Sequence, residues 1–166
     1  MKIILQTPRL YLRQFTNADA PLLYMLNQNP EVIKYVHEPP ITMAIAEDAI
    51  HNIILPQYKN YGYGRWAMHL NEDDNFIGWC GFKFIKEKDE IDLGYRLMQP
   101  YWGNGYTTEA ARACIDYGLH TLGLKKIIAK AHVDNIASWK IMEKLNMKFI
   151  GEMMEDNIPL KKYEIS

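Results

Sequence analysis

Two glycines separated by one residue, Gly103 and Gly105, stand within the run PYWGNGYTTEA, between a stretch with strand periodicity and one with helical periodicity. That placement is a ready anion site. Unpaired N–H groups at the start of a helix point outward along the positive end of its dipole, and phosphate is the natural guest. The same residues also suit a plain tight turn with Thr107 as helix cap, and a bare Gly-x-Gly does not separate the two. The residues after the glycines exclude two phosphate motifs. A P-loop needs a lysine and a hydroxyl after its second glycine, where Tyr106, Thr107 and Thr108 stand. The dinucleotide fingerprint needs glycine at 108 and an acidic residue about 20 positions on, where Lys125 stands. Glu109 opposes an anion in this first turn unless its carboxylate points away.

The elements that must position this turn are set by periodicity. RLYLRQF alternates as a half-buried strand, and TNADAPLLYMLNQN reads as a helix capped by Thr16 or Asn17, with Asp19 at the positive end of its dipole. PEVIKYV suggests a second short helix ending before EPP, and MAIAEDAIHNIILPQY a third that Pro56 bends or ends. RWAMHL, FIGWCGFKFI and EIDLGYRLM then read as an antiparallel meander. A helix from about Thr107 to His120, strand LKKIIAKAHV, helix ASWKIMEKLN and strands KFIGEMM and KKYEIS complete the chain. The expectation is one mixed α/β domain over residues 1–166, with a mostly antiparallel central sheet of about seven strands flanked by helices.

Composition bounds the partners. Nineteen basic and twenty acidic side chains leave a formal charge of -1, which favours neither nucleic acid nor an anionic membrane surface, so a bound anion must be held locally. The amino terminus has no small-residue cleavage site, and no stretch approaches the ~20 apolar residues of a membrane span, so a cytoplasmic protein is expected. Cys80 and Cys114 have neither C-x-x-C spacing nor a histidine cluster, which points to buried thiols and no metal site.

Three motifs in order, TPRLYLRQFTNADA, DLGYRLMQPYWGNGYTTEA and HVDNIASWKIMEKLNMKFIG, resemble the GNAT N-acetyltransferase superfamily over nearly the whole chain. More narrowly, they resemble its RimJ/RimL branch, which acetylates the amino termini of ribosomal proteins. The resemblance implies acetyl-CoA as co-substrate and direct attack of an amine on its thioester. It places the pyrophosphate cradle at Trp102, Gly103, Asn104, Gly105, Tyr106 and Thr107. Trp102 and Thr107 depart from the superfamily's Q/R-x-x-G-x-G/A pattern, a departure that backbone donors tolerate. Leu97 and Met98 are implied to present backbone groups to pantetheine, Asn135 to hold the pantetheine arm or cap its helix, and a sheet break near Gly94 to supply an oxyanion amide.

The family commonly protonates the leaving thiolate with a tyrosine where this chain has Met142. Asn135, Ser138 and Met142 fall on one helical face, so Ser138 is the nearest replacement acid. It also suits a first-turn capping role. For the base, Glu90 and Asp92 share a strand face, and Asp92 sits where this branch often has an acidic residue before Gly-Tyr. Pairing of Asp92 with Arg96 or another sheet neighbour is the competing role. Glu109, His132 and an ordered water are further candidates, His132 also suiting a hydrogen-bonded structural role. Tyr35, His37, Glu38 and Trp66 come from segments that border the acceptor cleft in relatives, although such aromatics commonly serve packing. The acceptor is then an amine: a protein amino terminus, or a small amine such as an aminoglycoside, polyamine or amino acid. A non-catalytic CoA sensor is the alternative from a different class. Monomer and homodimer are both compatible with the chain.

Overall fold

In the computed structural model, which describes residues 1–36 and 38–166, eight strands form one sheet in the order β1-β2-β3-β4-β5-β6-β8-β7. The strands are β1 Ile3–Gln6, β2 Leu10–Gln14, β3 Arg65–Leu70, β4 Phe76–Ile85, β5 Glu90–Leu97, β6 Ile127–His132, β7 Lys148–Glu155 and β8 Ile158–Ile165. The helices are α1 Ala20–Leu26, α2 Met43–Ala49, α3 Leu55–Tyr61, α4 Tyr106–Asp116 and α5 Ile136–Lys144. The chain has one more strand than periodicity suggests. The addition is β1, which is too short to show alternation but pairs with β2 through the Thr7–Arg9 turn.

Every neighbouring pair is antiparallel except β5 and β6, which run parallel and share a single residue pair, Asp92 with Ile128. Strand alternation puts two cores on opposite faces. Trp66, Phe82 and Leu93 pack with Ala111 and Cys114 of α4 and Met142 of α5. Ala67 and Phe76 pack with Leu23 and Leu26 of α1 and Ala46 of α2. Cys80 and Cys114 are both buried in the first core, their sulfurs 3.7 Å apart.

Two local expectations change. PEVIKYV forms successive turns, with Val32 N–H on Asn29 O and Val36 N–H on Ile33 O, each bond spanning three residues. A run this short, carrying β-branched Val32, Ile33 and Val36, does not offset the cost of helix nucleation. Pro56 does not end its helix. A π-helical turn, Ile50–Ile54, joins α2 to α3 without a break and widens the helix directly ahead of Pro56, whose missing N–H leaves one carbonyl of that turn without its helical partner. Thr42 caps α2 by accepting Ile45 N–H at 3.2 Å.

Candidate active site

The sheet splits after Asp92. Met98 N–H donates to Ile77 O at 2.8 Å, so in the β4–β5 register the even-numbered residues of β5 bond to β4. The backbone groups of Leu93, Tyr95 and Leu97 therefore turn the other way, towards β6. Beyond the one parallel pair, Tyr95 and Leu97 present that edge to the opening between the strands. The expected pair Leu97 and Met98 divides here. Leu97 faces the opening, its carbonyl also accepting the Trp102 indole N–H at 2.8 Å. Both backbone groups of Met98 are engaged, its carbonyl by Tyr101 N–H at 3.0 Å.

The glycine turn comes next along the chain. Gly103 and Gly105 both have φ +79°, a left-handed conformation that disfavours any side chain, and Gly105 is the N-cap of α4. The first helical bond is Glu109 N–H to Gly105 O, which leaves the amides of Tyr106, Thr107 and Thr108 pointing out of the helix. Asn104 donates its side-chain amide to the carbonyls of Tyr101 and Trp102, folding the turn over. A Cβ at Gly103 would meet nothing within 4 Å, and one at Gly105 only Arg9 Nη2, so the backbone is open to a ligand. These features fit a pyrophosphate.

Glu109 points away from that cradle. Its carboxylate accepts Thr7 Oγ1 at 2.7 Å, Arg9 N–H at 3.0 Å and Arg9 Nε at 2.7 Å. Arg9 in turn donates to Asn104 O at 2.8 Å and lies 4.4 Å from the centre of the Tyr106 ring. The β1–β2 turn thus braces the glycine turn and sets a cation beside it. Sequence reasoning missed this role, and a pair 100 residues apart leaves no local signal. Burial pushes the Glu109 pKa up, but the Thr7 and Arg9 hydrogen bonds outweigh it and hold it below the ordinary value of 4.5. A depressed carboxylate contributes stability above its unfolded pKa and loses it as pH falls through the folded one. Glu109→Gln is therefore expected to cost about 1 kcal/mol near neutrality, with the deficit shrinking below about pH 4. Urea unfolding at the two pH values reads this, and a deficit independent of pH contradicts it.

Asn135 caps α5, accepting Ser138 N–H at 3.4 Å. Ser138 Oγ lies 3.1 Å from the Tyr95 hydroxyl, which also donates to Ser138 O at 2.9 Å. Burial pushes the Tyr95 pKa well above its ordinary value, so the phenol stays protonated. Met142 shares this helix face but lies in the core, 1% exposed. Tyr95 is the second group that sequence reasoning missed.

On the opposite face, β5 carries Asp92, Gly94 and Arg96. Asp92 Oδ2 accepts Arg65 Nη2 at 2.8 Å, and Arg65 also donates to Gly81 O and Asp92 O. The partner of Asp92 is thus Arg65 on β3, the sheet-neighbour role rather than Arg96. Gly94 makes room for it, since a Cβ there would stand 2.7 Å from the guanidinium. The Tyr35 ring lies 5.3 Å from His132, whose Nδ1 accepts Asp134 N–H at 3.0 Å. Trp66 does not reach the cleft. It is 1% exposed and packs edge-on against Phe82 and Tyr117 on the α4 face. His37 lies outside the described residues. Among the described residues no cluster of three or more metal-ligating side chains occurs, and no helix is long and apolar enough to cross a membrane.

Residues 9–148 match the acetyltransferase (GNAT) domain family. The N-acetyltransferase p20 of Bacillus licheniformis is 35% identical over 149 residues, which cover 89% of this chain and 83% of that protein. Among solved structures, an acetyltransferase from Agrobacterium tumefaciens superposes with TM-score 0.83 at 24% identity, covering 100% and 95% of the two chains. The Salmonella typhimurium acetyltransferase that modifies the N-terminal serine of ribosomal protein L7/L12 gives 0.81 at 16%, covering 99% and 98%. The chain belongs to the GNAT acetyltransferase family and is an acetyl-CoA-dependent N-acetyltransferase.

Proposed function

We propose that the acceptor is the α-amine at the amino terminus of a protein, as in the RimJ/RimL branch. The observation that carries this reading is that neither candidate carboxylate base is unpaired: Asp92 is held by Arg65, and Glu109 by Thr7 and Arg9. His132 is no better placed. Its Nδ1 accepts an amide, which puts the proton of the neutral ring on Nε2. A site without a dedicated base suits the amine that ionises least. Near pH 7 roughly a tenth of an α-amine of pKa about 8 is neutral, against well under a hundredth of a lysine of pKa about 10.4. The Salmonella relative, which acts on an N-terminal serine, supports the same class.

The chain's own groups divide the work. The amides of Tyr106, Thr107 and Thr108, the open turn at Gly103, Asn104 and Gly105, and the neighbouring Trp102 hold the pyrophosphate, with Arg9, its charge matched by Glu109, bracing the turn. The opening along Tyr95 and Leu97, with Asn135 at its far side, takes the pantetheine arm. When bound, acetyl-CoA supplies a thioester open to direct attack. A backbone amide beyond Gly94 faces the oxygen on which charge develops. Ser138 donates its hydroxyl proton to the departing sulfur and recovers one from the attacking nitrogen, which gives up a proton as the amide forms; Tyr95, kept protonated by burial, holds Ser138 in place. Asp92 positions Arg65 and takes no proton, and the acceptor enters as the neutral amine. The test is thiol release from acetyl-CoA with one peptide whose α-amine is free or formylated. Turnover is expected only when it is free.

A further inference from the structure

Arg96 is short of counter-charge. It follows Gly94 on the β5 face turned to α1 and α2, one residue beyond Tyr95. Arg96 and Arg65 both sit over one indole, 5.5 and 4.9 Å from the centre of the Trp79 ring. Arg65 is neutralised by Asp92. Arg96 forms no ion pair among the described residues, and Nη1 donates only to the neutral Asn27 Oδ1. That amide is itself oriented, because Asn27 Nδ2 donates to Leu23 O at 2.8 Å. Burial pushes the Arg96 pKa below the ordinary guanidinium value; Glu38 acts against this through space, and Arg65 adds to it.

A guanidinium taken largely out of water without an anion is unfavourable, and its planar fork matches a carboxylate. The α1–α2 connection lies over the same face: Asn29 donates to Gln99 at the end of β5, and Tyr35 packs against His132 at the end of β6. We propose that Arg96 receives a carboxylate of the acceptor, so that the favoured substrates present an amine close to an acidic group. This rests on the α-amine reading above. The carboxylate has two sources to distinguish, an acidic side chain near the start of a peptide and the α-carboxylate of a free amino acid.

The test compares peptides that differ only in Asp or Asn at their second position, and a free amino acid with its carboxamide. For wild-type protein, kcat/KM should favour the acid in one of these pairs by about tenfold, through KM. The pair that discriminates identifies the source. Arg96→Gln should abolish the preference while leaving acetyl-CoA affinity unchanged, which also reports an intact fold, and Arg96→Lys should restore part of it. Glu38→Gln, which removes a competing carboxylate, should strengthen it. No preference in either wild-type pair, or a preference that survives in Arg96→Gln, overturns the proposal. A second readout does not depend on turnover: succinate, titrated in the presence of CoA, should shift the Arg96 Nε–H NMR signal. A shift without turnover on any α-amine keeps the carboxylate site and sinks the α-amine acceptor. Turnover with no shift sinks the carboxylate site alone.

Discussion

Gly105→Val is expected to weaken acetyl-CoA binding by roughly 10- to 100-fold, the largest effect on affinity from any single site. At φ +79° a β-branched residue is strained by about 1–3 kcal/mol, and relief of that strain tips the turn away from the geometry that aims the α4 amides outward. A Cβ at this position also stands 3.5 Å from Arg9 Nη2, so the larger side chain presses on the brace that Glu109 holds in place. Calorimetric titration with CoA measures the loss. A dissociation constant within twofold of wild type contradicts the pyrophosphate assignment.

Ser138→Ala is expected to lower kcat by about 100-fold with acetyl-CoA affinity preserved, a size typical of removing one donor from a site where charge develops. The variant leaves Asn135 in place as the cap of α5 and deletes only the hydroxyl beside Tyr95. Because Met142 is a thioether in the core, no other side chain on that helix face can take over. Single-turnover kinetics with saturating acetyl-CoA separates this loss from a binding defect. An unchanged kcat contradicts the role given to Ser138, and a fall in CoA affinity instead would make it a cofactor-binding residue.

The strands and helices around the site were legible from their apolar patterns. β3 and most of β4 are nearly continuous buried runs bounded by polar turns, β5 alternates apolar with polar residues, and Ala111, Cys114 and Ile115 mark one stripe of α4. β1 was not, since its four residues are partly exposed and take their structure from β2. The glycine turn was legible from its position as the opening of a helix, and Gly105 is the N-cap of α4. Its brace was not, because Arg9 and Glu109 meet only when the sheet brings the β1–β2 turn beside α4. The same holds for Asp92, whose Arg65 partner lies two strands away with β4 between them, and for Tyr95, which finds Ser138 on α5. Trp66 misled for a simpler reason. Its neighbours on β3 alternate between faces, and alternation does not say which face the cleft occupies.

The central claim, that a protein α-amine is the acceptor, is tested most directly by locating the acetyl group on one peptide carrying a free α-amine and an internal lysine. Mass spectrometry of the product at pH 7, beside the α-formylated form of the same peptide, gives the answer in one comparison. The predicted result is acetylation of the α-nitrogen alone and no turnover of the formylated peptide. Acetylated lysine, or equal turnover of the two peptides, contradicts it.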